Sequence, residues 1–110
     1  MTRRVILESP YRGIDAEVTA LNVAFARACL RDSLLRGESP LASHLLYTQR
    51  GVLDDNDPVE RALGIAAGHA WMPLADGVVF YIDHGVSVGM EQGIESARKF
   101  GHHIERRRLL

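Results

Sequence analysis

Residues 77–83 read GVVFYID, a run in which apolar side chains follow one another with no polar residue between them. A strand wet on one face alternates apolar and polar residues, because successive side chains point to opposite faces. Val78, Val79, Phe80, Tyr81 and Ile82 therefore predict a strand covered on both faces, the condition of a parallel sheet with helices on each side.

The rest of the chain supplies what such a sheet needs. RVILESPY, beginning at Arg4, is a short apolar run that breaks at Pro10: a strand over 4–9 followed by a turn. Residues 15–36 place Val18, Leu21, Phe25, Ala28, Cys29 and Leu35 near a 3.6-residue period, and Gly37 supplies a stop. PLASHLLYT, residues 40–48, reads as a second strand. A helix over 58–74 opens with Asp57 as cap, Pro58 at the first helical position and Glu60 at the capping-box position. Leu63, Ala67, Ala70, Trp71 and Leu74 form its expected buried face. A further helix over 88–100 buries Met90, Ile94 and Ala97 and ends at Gly101, and HHIERRR reads as a charged edge strand. This β-α-β-α-β-α-β order predicts a single domain over 1–110 of the α/β class. It is a small Rossmann-like or flavodoxin-like three-layer sandwich, with four parallel strands in order 2-1-3-4 and three helices.

Composition acts mainly by exclusion. A formal net charge of -1 provides no positive field for a nucleic-acid duplex or an anionic membrane, and the basic ERRRLL end reads as a short solvated tail. The single cysteine, Cys29, cannot form an internal disulfide; it fits a reducing cytoplasm and the role of a small buried apolar residue. No stretch approaches the ~20 apolar residues of a membrane span, and MTRRVILESP has too short an apolar run for a signal peptide. A cytoplasmic protein is expected. His44, His69, His84, His102 and His103 stand at no metal-ligand spacing, so neither a metal nor a cofactor is expected.

Ligands of parallel open sheets bind beyond the carboxyl ends of the strands, where strand order reverses. That location gathers ESPYRG after the first strand and DHGVSVG after the third, with TQRGVLDDND placed to lie over both. Glu8 is positioned to accept hydrogen bonds from ribose hydroxyls or to be a solvated strand-end acid, with Ser9 and Arg12 in the same turn. Tyr11 offers a face for a base or sugar. Asp54 and Asp55 either contact a ligand or form a polar loop, and Asp83, leaving the strand straight into a Gly/Ser turn, is the leading acid. Ser87, Gly89 and Met90 open a helix whose free amides favour anionic or hydroxylated groups. His44 and His84 either contact the ligand or are locally satisfied. Neither turn is a Walker loop or a GxGxxG fingerprint.

ESPYRG, the Asn before AFARAC, ASHLLYTQ, LDDNDPVERALGI, the AW pair and SVGM…A…G, in this order, resemble the short nucleoside 2-deoxyribosyltransferase-like proteins of bacteria and phages. The resemblance spans nearly the whole chain and implies a compact Rossmann-like fold in homodimers or larger homo-oligomers. It also implies a glutamate that attacks C1′ of a (deoxy)ribose, acids near the strand ends that contact the base, and an SxG turn that holds the sugar or its phosphate. The family pattern is similar to S-x-G-x-x-x-E-x-x-x-A-x-x-x-G. Ser87, Gly89, Ala97 and Gly101 match it, but Gly93 occupies the glutamate's place. Glu91 and Glu95 are nearest, each about 200° round a regular helix from position 93. Glu91 is the candidate displaced nucleophile, or a first-turn acid favoured by the helix dipole.

Gly64 and Gly68, four residues apart on one helix, each cost roughly 1 kcal/mol relative to Ala. A close neighbour, either the sheet or a second subunit, would justify them, so helix 58–74 is expected in a homo-oligomer interface. Two functions follow. The first is binding of a nucleoside, nucleotide or ADP-ribose-like ligand without turnover, as in a phage anti-defence protein that sequesters a nucleotide-derived signal. The alternative is an enzyme that cleaves or transfers an N-glycosidic bond with Glu91 as nucleophile.

Overall fold

The computed structural model describes residues 2–110. Strands β1 (Arg4–Glu8), β2 (Ser39–Leu41), β3 (Gly77–Tyr81) and β4 (Ile104–Arg107) form one all-parallel sheet in the predicted order β2-β1-β3-β4. Every residue of β3 is buried, as its unbroken apolar run requires. The side chains sort by parity. Val5, Leu7, Val79 and Tyr81 join Cys29 and Phe25 of helix α1 (Ala16–Leu35) on one face. Ile6, Val78 and Phe80 join Met90 and Ala97 of helix α4 (Val88–Lys99) on the other.

Local chemistry sets the ends of these elements. Asp15 caps α1 by accepting from the Val18 amide at 2.9 Å, and Gly37 leaves it at φ 87°, a left-handed conformation that favours glycine. Ser87 caps α4, its Oγ accepting from the Met90 amide at 3.2 Å while its own amide meets Met90 Sδ at 3.5 Å. Among the described residues, no helix is long and apolar enough to cross a membrane.

Two expectations need correction. The expected strand over 40–48 is a three-residue edge strand, β2, followed by a short helix, α2 (Ser43–Leu46). Pro40 lacks an N–H and is tolerated because β2 pairs only with β1. The chain then coils at once: the amides of Leu45 and Leu46 both reach Ala42 O at 3.0 Å, and the Thr48 hydroxyl donates to His44 O at 2.6 Å. The described residues therefore form four helices and one 3-10 turn (Met72–Leu74), where three helices were expected.

The second correction concerns helix α3 (Pro58–Ala70), which Asp57 caps by accepting from the amides of Val59 and Glu60. Glu60 does not return to Asp57; its carboxylate accepts from the Asp54 amide at 3.1 Å. Leu63, Ala70, Trp71 and Leu74, expected inside, are exposed. The inward stripe is built on glycine because α2 lies against it. A Cβ on Gly68 would fall 2.8 Å from Ser43 Cβ and closer still to its hydroxyl, and one on Gly64 would fall 3.3 Å from Leu53 Cδ1. The neighbour that these glycines admit at close range is therefore α2 and the loop after it.

Candidate functional site

Strand order reverses between β1 and β3, and the crevice beyond their carboxyl ends holds a cavity of about 310 Å³. Its floor is the chain leaving β1, from Glu8 to Arg12. One wall is α2 with the inner stripe of α3, and another is the first turn of α4. Of the residues singled out from sequence, Glu8, Ser9, Tyr11, Arg12, His44, Asp55, Ser87, Gly89 and Met90 meet here.

Glu8 is the unusual member. It sits at the end of β1 with its carboxyl turned toward α4, where a Cβ on Gly93 would lie 2.9 Å from the carboxyl carbon and 3.1 and 3.2 Å from its oxygens. A side chain at position 93 and the Glu8 carboxyl thus claim the same space. No group among the described residues donates a hydrogen bond to Glu8, and surrounding protein strips away enough water to push its pKa up to about 8. The carboxyl is protonated at neutral pH and faces the cavity.

Beside it, Ser9 is 4% exposed, and its Oγ lies 2.7 Å from His44 Nε2. Burial pushes His44 down to about 4, so the ring is neutral at pH 7 and shares one hydrogen with the serine. Asp55 and Arg61 neutralise each other at 2.7 Å, and burial lowers the pKa of His69. The α4 amides at Val88 and Gly89 precede the first intrahelical donor, the Glu91 amide bonded to Ser87 O, and have no helical acceptor. The inner cavity is therefore polar but nearly uncharged around Glu8 and His44. Loop geometry is pinned from behind: Asn22 Nδ2 donates to Tyr11 O at 3.0 Å, and the Gly13 amide donates to Thr19 Oγ1 at 2.9 Å.

Four sequence candidates stand elsewhere. The Asp83 carboxylate accepts from the amides of Leu109, at 3.0 Å to each oxygen, and Leu110, at 3.3 Å. Burial pushes its pKa up, but the bonds from these amides outweigh it and hold the carboxyl below its ordinary value. Asp83 fastens the chain end and does not line the cavity. Glu91 is exposed on α4, also outside the cavity wall. Asp54 lies in an adjoining groove and accepts from the Asn56 amide at 2.9 Å. His84 stacks edge-on against Phe25 with ring centroids 4.5 Å apart.

Sequence reasoning missed the wall made by Ser43, Tyr47, Arg61, Ile65, His69 and Gln92. The available signal was the stripe Arg61, Gly64, Ile65, Gly68 and His69 at three- and four-residue spacing, which marks a helix face that admits close neighbours. Among the described residues, no three His, Cys, Asp or Glu side chains gather as metal ligands.

The family model described as a domain of unknown function, DUF7768, matches residues 3–107. The chain belongs to this family. The DUF7768 match runs from just before β1 to the last residue of β4, so it takes in the whole sheet and every wall of the cavity. No curated protein matches the chain.

Proposed function

We propose that this DUF7768 protein binds a nucleoside, nucleotide or ADP-ribose-like molecule in the cavity at the β1–β3 crevice and releases it unchanged. The observation that carries this is the Glu8 carboxyl, half-buried at the end of β1, lacking a hydrogen-bond partner among the described residues and open to the cavity. A protonated carboxyl offers a donor and an acceptor on neighbouring oxygens. That pair complements a base edge or two ribose hydroxyls. Ser9 and neutral His44 add a second such pair, Tyr11 offers an aromatic face, and the open amides of α4 suit a sugar oxygen or phosphate. The resemblance to deoxyribosyltransferase-like proteins adds support at Ser87 and Gly89, while Gly93 removes the carboxylate that the same pattern uses for attack.

The space that Gly93 leaves for the Glu8 carboxyl also favours a second reading, cleavage of an N-glycosidic bond. Glu8 would give its proton to the departing base as the C1′–N bond breaks, and water would add its hydroxyl at C1′ and return its other proton to the Glu8 carboxylate. Glu91, outside the cavity wall, has no geometric support for that part.

Calorimetry with nucleosides, nucleotides and ADP-ribose, followed by chromatography for free base, tests both. The expected result is saturable binding with no base released. Base release that disappears in Glu8→Gln would establish the second reading, and release lost only in Glu91→Gln would restore that glutamate as nucleophile. Absence of binding across the panel would overturn the proposal.

Self-association belongs to the same proposal. Val59, Leu63 and Leu74 of α3 and the 3-10 turn are 71%, 58% and 61% exposed, and Ala66 and Ala70 between them are also exposed. These positions repeat at four- and three-residue steps along one face, the spacing with which one helix packs on another. Light scattering should give at least a dimer, and Leu63→Glu should shift it toward monomer. A monomer in the unmodified protein at calorimetric concentrations would remove this part of the proposal.

A further inference from the structure

The inner cavity does not end at Tyr11 and Arg12. It opens into an outer groove of about 750 Å³ between the β1–α1 loop and residues 48–56, and Tyr11, Arg12, Thr48, Leu53, Asp55 and Glu60 line both spaces. The charges in this groove are unequally engaged. Asp15 accepts from the Val18 amide, Asp54 from the Asn56 amide, Asp55 from Arg61, and Glu60 from the Asp54 amide. Asp55 is thus paired with a cation, while Asp15, Asp54 and Glu60 are each held by a backbone amide and keep their charge. The two arginines there, Arg12 and Arg50, are exposed and have no hydrogen-bonded or ion-paired acceptor among the described residues. The guanidiniums of Arg12 and Arg50 are therefore the free charged donors of the groove, and their planar fork matches phosphate oxygens well.

Two spaces joined at an arginine call for a ligand in two parts. The inner space suits one nucleoside-sized unit that carries little charge. The outer space is larger than a phosphate needs, and Tyr11 at the junction offers an aromatic face to either side.

We propose that the outer groove is a second half-site and that the natural ligand is a two-part nucleotide. One nucleoside occupies the inner cavity, a pyrophosphate lies at Arg12 on the seam, and the second nucleoside unit lies in the outer groove beside Arg50. The proposal rests on the nucleotide reading of the inner cavity and names the class of nucleotide. Joining two weakly held units through one bridge makes the second contact intramolecular, so affinity rises well beyond that of either unit alone.

The test is a calorimetric series on the full chain: the common ribonucleosides, their 5′-monophosphates, and the matching symmetric dinucleoside pyrophosphates. For the base that binds, the pyrophosphate-linked form should bind at least about tenfold more tightly than the monophosphate. Arg50→Ala should lose that gain, about tenfold, and keep the wild-type affinity for the nucleoside and the wild-type melting temperature. Arg12→Ala, at the seam, should weaken every phosphate-bearing ligand. A dinucleotide that binds no more tightly than its monophosphate, or a gain that survives Arg50→Ala, would overturn the half-site and leave the inner-cavity reading standing. Failure of every compound to bind would overturn both.

Discussion

Raising the pH from 7 to 9 should weaken nucleotide binding about tenfold, and Glu8→Gln should abolish that loss. The Glu8 carboxyl titrates at about 8 because burial disfavours its charged form. If the ligand is received by the protonated acid, the competent fraction falls about tenfold between those two pH values. The other titrating groups turned to the same space do not supply the effect. His44, at about 4, and His69, also lowered, are both neutral throughout this window, and Asp55 is locked to Arg61. The same shift works on stability in the opposite sense from most acids. A carboxyl whose folded pKa is raised binds its proton more firmly in the native state, so stability falls as pH rises from about 4.5 to about 8. Glu8→Gln should therefore raise the melting temperature at pH 8, leave it nearly unchanged at pH 4, and weaken ligand binding at pH 7. A side chain that costs stability while facing a cavity is expected where binding takes precedence over packing. A variant with wild-type affinity and a flat response in both proteins would remove Glu8 from the site.

Arg107→Met should lower the melting temperature by roughly 10–30 °C, the largest effect expected of any single substitution away from the cavity. Arg107 is 7% exposed, on β4. Its Nη1 and Nη2 donate to the two oxygens of Glu38 at 2.7 and 2.6 Å, and its Nε donates to Glu105. Ser33 Oγ and Arg3 Nη1 also donate to Glu38, at 2.8 and 3.1 Å, and the Tyr81 hydroxyl bridges Arg107 to Asp32. Removing the arginine leaves a nearly buried carboxylate without its main partner, at a cost of about 3–5 kcal/mol against a total of about 5–15. Replacing both partners, Arg107→Met with Glu38→Met, should recover most of the loss, because the charges that remain, Arg3 and Glu105, are only partly buried and lie 3.9 Å from each other. Acid should act through the same pair. The Arg107 hydrogen bonds hold Glu38 down to about 2, so its contribution is complete above about 4.5 and disappears as pH falls toward 2. His44, lowered by burial to about 4, adds a loss as pH falls from about 6.5. An Arg107→Met protein that melts within a few degrees of wild type would show the pair to be dispensable.

Much of this architecture was legible along the chain because the deciding signals are local. The unbroken apolar run at 78–81 dictates two covered faces, and the Asp57-Pro58 and Ser87 caps fix where two helices begin. The segment from Glu8 to Arg12 was found because strand ends at a reversal of order are where parallel sheets bind. What stayed hidden depends on residues distant in sequence. Asp83 has the credentials of a ligand-binding acid until Leu109 and Leu110, at the far end of the chain, arrive to occupy it. Residues 43–46 carry enough apolar character for a strand, yet in the fold they coil with Ser43 seated against Gly68. Gly93 looks like a deletion until Glu8, from another element, is found in the space it vacates.

Cys29 has a practical meaning beyond its packing. It is fully buried between α1 and the sheet, and burial, with Asp83 and Asp32 nearby, pushes its thiol up to about 12. At neutral pH an alkylating reagent therefore meets neither an accessible sulfur nor a thiolate, and labelling proceeds only through excursions that lift α1 from β1 and β3. As the chain's only cysteine, it makes the labelling rate a single-site clock for that opening, read without adding any probe. A ligand that bridges the β1 turn, α3 and α4 can slow this clock only by holding the domain closed, since the sulfur lies outside the cavity it fills.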